Sequence, residues 1–287
     1  MTDSSLFNIH GRLVRLQYPA VMGILNLSQN SFYKGSRNPD MESLEARLDQ
    51  YIEEGVDIID VGATSTRPGS PLQDAETELQ RLLPVFSMIK KKAGNTLISI
   101  DTMNAETANI LLQEGADLVN DVSAGDRDPL MLETVAKFNV PFIAMHMRGI
   151  PETMMNEENL RYENVVSEII QYFARKKREF LSLGIHQLVV DPGYGFSKNL
   201  DQNYEVLKNL NLFQILDCPI LVGLSRKSMI TKLLGITPDE ALYGTMSLHS
   251  LALLKGADIL RVHDVKFAKD TIKINHKWIE VNAKVSL

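Results

Sequence analysis

The chain has 287 residues, 44% of them hydrophobic and 23% charged, and a formal net charge of −6. This is an ordinary globular composition with enough apolar residues for a sizeable core, and its charge excludes a global attraction to nucleic acid or anionic lipid. No apolar run approaches the roughly 20 residues of a membrane span, and the first residues lack the basic start and apolar stretch of a secretory signal. The single cysteine, Cys218, leaves no internal disulfide and suits a reducing cytoplasm, the expected location.

In chain order, LFNIHGRLVRL (residues 6–16) predicts two short strands around His10-Gly11, a hairpin able to cap the bottom of a barrel. The runs VMGIL, VDIIDV, LISI, DLVN, PFIAM, QLVV, PILVGL and DILRV then follow, rich in Val, Ile and Leu without polar alternation. That pattern marks strands buried on both faces of a parallel sheet. Segments of helical period lie between them, for example residues 41–55 and 74–94. Residues 162–184 are another, and the densest basic run, 175–178, reads there as a solvated helix face. EGVDIID, EGADLVN and KGADILR repeat one joint, a helix ending at Gly followed by a strand. Eight strands alternating with helices over about 250 residues predict an α/β fold, a (β/α)8 TIM barrel with an N-terminal β-hairpin, as one domain spanning 1–287. An open doubly wound sheet is the structural alternative. The lone Gly193-Tyr194-Gly195 is no dinucleotide fingerprint, and no Walker sequence is present.

In such a barrel the active site gathers at the C-terminal ends of the strands. The polar residues found there are Asn26; Asp60, Thr66 and Arg67; Asp101; Asn120 and Asp121; His146; Asp191; Ser225, Arg226, Lys227 and Ser228; Arg261, His263 and Asp264. Any one of them can be a helix cap or a loop brace, the reading that suits Asp121 and Asp264. A whole ring of charges is costly to bury unless a ligand or partner charge uses it. Asp101, Asn120 and Asp191 are acceptors suited to the N–H and amino edge of a flat heterocycle. Arg67, Arg261 and His263, with Asn26, suit a phosphate or diphosphate, and Lys227 could serve either end. Phe32, Pro68, Met145 and Phe196 could wall an aromatic substrate. Loops 26–41, 63–76 and 147–164 exceed the usual connection of about 4–6 residues, as functional loops often do.

The segments VMGILN, DIIDVGATSTRPGS, ISIDT, LVNDVSAG, MHMRGIPETM, VVDPGYGFSKNLDQNYEVL, VGLSRKS and GTMSLHSLALLKGADILRVHDV resemble, in order, those of the dihydropteroate synthase family of folate biosynthesis. The resemblance covers nearly the whole chain, and STRPG, DPGYGF, SRKS and RVHDV together are highly specific. It implies a dimeric barrel transferase, a sulfonamide target, that joins 6-hydroxymethyl-7,8-dihydropterin diphosphate to 4-aminobenzoate with Mg2+ assisting. By resemblance Asp101, Asn120, Asp191, Lys227, Arg261 and Met145 hold the pterin. Asn26, Thr66, Arg67, Arg261 and His263 face the diphosphate, Asn26 being the protein group at Mg2+. Phe32, Pro68, Phe196, Lys227 and Ser228 border the aminobenzoate, and Asp101, Lys227, Arg261 and Arg67 carry the catalysis.

Two loops depart from the family. Its first loop usually reads N-x-T-P-D-S-F-S-D-G-G, and here two acids are replaced by Asn30 and Lys34; the Gly-Glu before Ser-Thr-Arg-Pro is Ala63-Thr64. The loops thereby gain about four positive charges if the lost acids were ionised. Asn26, Ser31, Phe32 and Gly35 are kept. Two other readings stay open: a pterin-binding paralogue without catalysis, for which the first loop speaks, and a methyltetrahydrofolate methyltransferase, which has no use for Arg67 and His263.

Overall fold

In a computed structural model, residues 4–27, 39–63 and 73–282 are described. Strands β1 (Ser4–Ile9) and β2 (Arg12–Gln17) pair antiparallel, and His10 and Gly11 between them take positive φ, 49° and 78°. Two successive positive φ angles make the tight turn whose twist matches paired strands. The apolar side chains Phe7, Ile9 and Leu16 pack on Met22, Ile58, Leu97, Leu118, Ile143 and Ile259, near the starts of the sheet strands. The hairpin therefore closes the bottom of the sheet, as its sequence predicts.

Eight parallel strands form the sheet: β3 (Ala20–Asn26), β4 (Ile58–Gly62), β5 (Leu97–Asp101), β6 (Leu118–Asp121), β7 (Phe142–Met145), β8 (Leu188–Asp191), β9 (Leu221–Val222) and β10 (Ile259–Val262). Their order is β8-β7-β6-β5-β4-β3-β10-β9. A parallel bridge from Val190 to Ile220 joins the two ends into a barrel. The expected barrel is thereby formed, and the alternative of an open doubly wound sheet is set aside. Every residue of β4, β5 and β6 is buried, because the sheet covers one face of each strand with helices and the other with the barrel interior.

The surrounding helices are α1 (Pro39–Glu53), α2 (Ala75–Lys92), α3 (Ala105–Gln113), α4 (Met131–Phe138), α5 (Val165–Ser182), α6 (Leu200–Lys208), α7 (Ser228–Leu234), α8 (Leu242–Leu254) and α9 (Val265–Asn282). Their starts are written in the sequence. Asp74 accepts the Thr77 amide at 2.8 Å, Asn164 that of Ser167 at 2.8 Å, and Asn199 forms a capping box with Gln202. One sequence expectation needs correction. Arg175 and Arg178 are exposed on α5, but Lys176 is buried. It falls on the apolar stripe between Phe173 and Phe180, lies 5.6 Å over the Phe180 ring and reaches Asp126 at 2.5 Å. A long stem can run along apolar surface while its charged end finds a partner.

Candidate functional site

Parallel pairing aligns the strand ends. Asn26 stands beside Gly62, Asp101 beside Asn120, and Met145 beside Asp191. At this rim Arg261, from the last strand, reaches across the barrel mouth. Its Nε donates to Asp60 Oδ2 at 2.6 Å and its Nη2 to Asp101 Oδ2 at 2.6 Å. The Asn120 amide donates to the same Asp60 oxygen at 3.2 Å. Asp60 is wholly buried and the Arg261 side chain is 16% exposed. Burial alone would lower the Arg261 pKa, but Asp60 and Asp101 keep it raised. Burial pushes Asp101 up to about 7 against the pull of Arg261. A Cβ on Gly62 would lie 3.1 Å from that of Asp101, so a glycine leaves room for the carboxylate.

A second group forms on the turn after β8. Asp191 accepts the Gly193 amide at 2.8 Å. Lys227 Nζ donates to the Tyr194 carbonyl and sits 4.6 Å over the Phe196 ring. Burial draws Lys227 down to about 8, with Asp191 opposing, and pushes Asp191 up, with Lys227 opposing. Phe196 packs with Met103, Val122, Met145 and Met154 into an apolar cluster on the same rim. Acceptors, a cation and an apolar wall thus meet on one rim, a combination that suits a flat, polar-edged ring.

The third group lies beside Arg261. His263 Nδ1 is 3.0 Å from Ser225 Oγ, and burial, then Arg261, lowers its pKa to about 4. Arg226 holds Asp264 through two bonds of 3.0 and 2.7 Å. Asp121 turns back on its own loop, accepting from the Ser123 and Gly125 amides at 2.7 and 2.8 Å. Asp264 and Asp121 are thus braces, as expected. Asn26 is exposed at the end of β3, and among the described residues no three His, Cys, Asp or Glu side chains gather to hold a metal ion.

Comparison with known proteins supplies the family. A family model described as "Pterin binding enzyme" matches residues 22–263. The chain belongs to the pterin-binding enzyme family. It is 38% identical over 266 residues to the dihydropteroate synthase of Escherichia coli (strain K12), covering 92% of this chain and 93% of that one. It is also 39% identical to a mitochondrial folate synthesis bifunctional protein of Arabidopsis thaliana, of which it spans 48%. The chain thus spans about half the length of that bifunctional plant protein and nearly all of the bacterial synthase. Among solved structures, a Yersinia pestis dihydropteroate synthase in a sulfonamide drug complex superimposes with a TM-score of 0.88 at 32% identity, covering 96% of this chain and all of that one. A Xanthomonas albilineans dihydropteroate synthase with 4-aminobenzoic acid gives 0.85 at 34% identity, over 98% of this chain and 99% of that one.

Of the predicted site residues of this family member, Asp101, Asn120 and Arg261 form one bonded cluster. Asp191, Lys227, Phe196 and Met145 form a second beside it, and His263 flanks Arg261. Ser228 is exposed at the start of α7, next to Lys227. Phe32, Thr66, Arg67 and Pro68 lie outside the described residues, as do Asn30, Lys34 and Thr64. Three contributors were missed. Asp60 stood in the strand-end ring without a role, and its partnership with Arg261 spans 201 residues of sequence. Lys198 and Glu78 lie off the strand ends altogether. Lys198 is buried behind the turn after β8. Glu78, buried on α2, accepts the Thr102 hydroxyl at 2.6 Å, one residue beyond Asp101.

Proposed function

We infer that this chain is a dihydropteroate synthase, joining 6-hydroxymethyl-7,8-dihydropterin diphosphate to 4-aminobenzoate with release of diphosphate. The observation that carries it is the buried Asp60–Arg261–Asp101 bridge, with Asn120 bonded to Asp60 and the Asp191–Lys227 pair on the same rim, in a chain of this family. In this reading Asp101, Asn120 and Asp191 accept from the N–H and amino edge of the pterin, while Lys227 donates to its ring carbonyl and Met145 lies beneath it. Phe196 and Lys227 border the aminobenzoate with Phe32, Pro68 and Ser228.

The bond from the pterin methylene carbon to the diphosphate oxygen breaks, and the amine nitrogen takes its place and loses one proton. Negative charge builds on the leaving group, which Arg261 and His263 would receive, Thr66 and Arg67 being assigned to it by resemblance alone. Positive charge builds on the pterin, which Asp101 and Asp191 stabilise through fixed charge near the reacting carbon. The arylamine is already a neutral nucleophile, so orientation rather than a strong base is what the residues supply.

A Mg2+ ion fits as a companion of the diphosphate. Mg2+ commonly keeps several waters and binds through one or two protein oxygens plus substrate phosphates, and the exposed Asn26 offers one amide oxygen at the rim. When bound, the ion would supply Lewis-acid neutralisation of the leaving diphosphate.

We also propose a homodimer in the cytoplasm. No helix among the described residues is long and apolar enough to cross a membrane. Tyr243, Leu251 and Leu254 on α8 and Phe267, Ile274 and Trp278 on α9 expose large apolar side chains, Tyr243 by 80% and Ile274 by 70%. Their spacing places them on one side of each of two adjoining helices, and a contiguous apolar patch of this kind marks an interface. The decisive assay mixes the purified chain with both substrates and Mg2+ and follows dihydropteroate and diphosphate. Stoichiometric appearance of both supports the synthase; pterin binding without turnover supports the paralogue reading instead.

A further inference from the structure

Lys198 is 2% exposed, behind the turn that follows Asp191 and carries Phe196. Its Nζ meets three acceptors: Gly193 O at 3.0 Å, Phe196 O at 3.0 Å and His146 Nδ1 at 3.2 Å. An ammonium carries three donors, so this set is matched in number; an apolar residue here would strip the Phe196 carbonyl and the His146 imidazole of this partner and leave Gly193 O with only the Phe196 amide, 3.1 Å away. With Lys198 as the ammonium, His146 Nδ1 is the acceptor and the ring proton sits on Nε2. His146 itself is fixed at the end of β7, where its amide donates to Asp191 O at 2.9 Å.

The effect on the turn is directional. Gly193 O takes both the Phe196 amide, at 3.1 Å, and Lys198, and the Phe196 carbonyl is drawn inward to Lys198 as well, while other polar groups of the turn face elsewhere. Gly193 N points to Asp191 Oδ1, Tyr194 O receives Lys227, and Gly195 N reaches Asn203 Oδ1 at 2.7 Å. The backbone pays a conformational cost: Gly193, Gly195 and Ser197 have φ of 75°, 80° and 44°. At Gly193 a Cβ would fall 2.1 Å from His146 O. Ser197 at 44° anchors the next loop by accepting the Arg148 amide at 2.9 Å. A turn in such a conformation persists only where its surroundings over-determine it, and beside the turn's own bond from the Phe196 amide to Gly193 O, Lys198 bonds both of its ends.

We propose that Lys198 is a positioning residue: it braces residues 193–196 in the shape that aims Asp191 and Lys227 at the pterin and sets Phe196 at the edge of the aminobenzoate site. This rests on the synthase reading for the substrates, and on geometry alone for the brace. Burial also pulls Lys198 down to about 7, with Asp191 opposing and Lys227 and Arg148 adding to the shift.

The test compares the wild-type chain with Lys198→Met, which keeps length and removes the donors. Calorimetry with 6-hydroxymethyl-7,8-dihydropterin and steady-state kinetics with both substrates are run well below each protein's melting temperature. The brace predicts pterin binding weakened at least tenfold, a raised KM for both substrates, and loss of the Nδ1-acceptor signature of His146 in 15N spectra. A folded Lys198→Met chain that binds pterin within twofold of wild type, whatever its melting temperature, overturns the proposal. Should Lys198→Met not fold, His146→Leu removes one acceptor and leaves the ammonium; pterin affinity must then fall at least threefold, and unchanged affinity overturns it. A wild-type chain that binds pterin but does not turn over sinks the synthase reading and leaves the Lys198 comparison intact. A wild-type chain that binds no pterin overturns both.

Discussion

The substitution Asp60→Asn isolates the oldest question about a buried ion bridge, whether it stabilises the protein or only aims a residue. Asp60 is wholly buried and bonds both Nε and Nη2 of Arg261 at 2.6 Å. Two unit charges about 4 Å apart attract by about 4 kcal/mol at an effective dielectric of about 20. Removing the carboxylate charge also relieves its own burial, and Asp101 keeps its bond to Nη2. A net loss of about 2–3 kcal/mol follows, somewhat below the ~3–5 kcal/mol of a buried pair broken outright. For a chain of this size each kcal/mol moves the melting temperature by about 2–4 °C, so a fall of about 5–10 °C is expected in calorimetry. Because the guanidinium is then held from one side only, kcat/KM for the pterin diphosphate should drop roughly 10–100-fold, the scale of a misplaced catalytic group. A variant melting within 1 °C of wild type with kcat/KM within twofold would refute the reasoning.

Asp121→Ala is the contrasting case. It removes the acceptor of the Ser123 and Gly125 amides and should cost about 1–3 kcal/mol in urea unfolding, with pterin affinity unchanged. Lys227 gives opposite pH trends for activity and stability. Its pKa is depressed to about 8 by burial, so the ammonium needed for substrate is lost as pH rises through about 8, and kcat/KM should fall there. A lysine depressed in the fold destabilises most below its folded pKa, and that penalty disappears as pH rises to its unfolded value. The difference in melting temperature between wild type and Lys227→Met should therefore shift in favour of wild type between about pH 8 and 10.4. Sedimentation velocity tests the apolar surface of α8 and α9: Ile274→Asp should yield monomers where wild type gives dimers.

The barrel was legible because each strand is a continuous Val, Ile and Leu run, which a parallel strand covered on both faces requires. The site was legible to the extent that it stands at strand ends: Asp101, Asn120, Asp191 and Arg261 are each the residue where an apolar run ends or is interrupted. What pairs with what was not legible. Asp60 and Asp121 are both acids at the end of a strand, yet one meets an arginine 201 residues away and the other folds back on amides two and four residues on. Lys176 misled, and Lys198 drew no reading, for a different reason. A lysine in a polar stretch reads as solvent-facing, and only the folded backbone shows three acceptors converging on one and an apolar stripe beneath the other.

The Arg261 bridge also fixes when this protein becomes functional. Its acids lie on the second and third strands of the barrel and its cation on the last, so a growing chain holds Asp60 and Asp101 without their partner until β10 is made. At about 5–20 residues per second, synthesis of the 201 intervening residues takes about 10–40 s. During that interval neither the barrel seam between β3 and β10 nor the substrate site can exist, and the residue that neutralises the two acids is the one that completes the ring. Premature release of the nascent chain, even a few residues short of Arg261, therefore yields two uncompensated acids in an open sheet rather than a weakened enzyme.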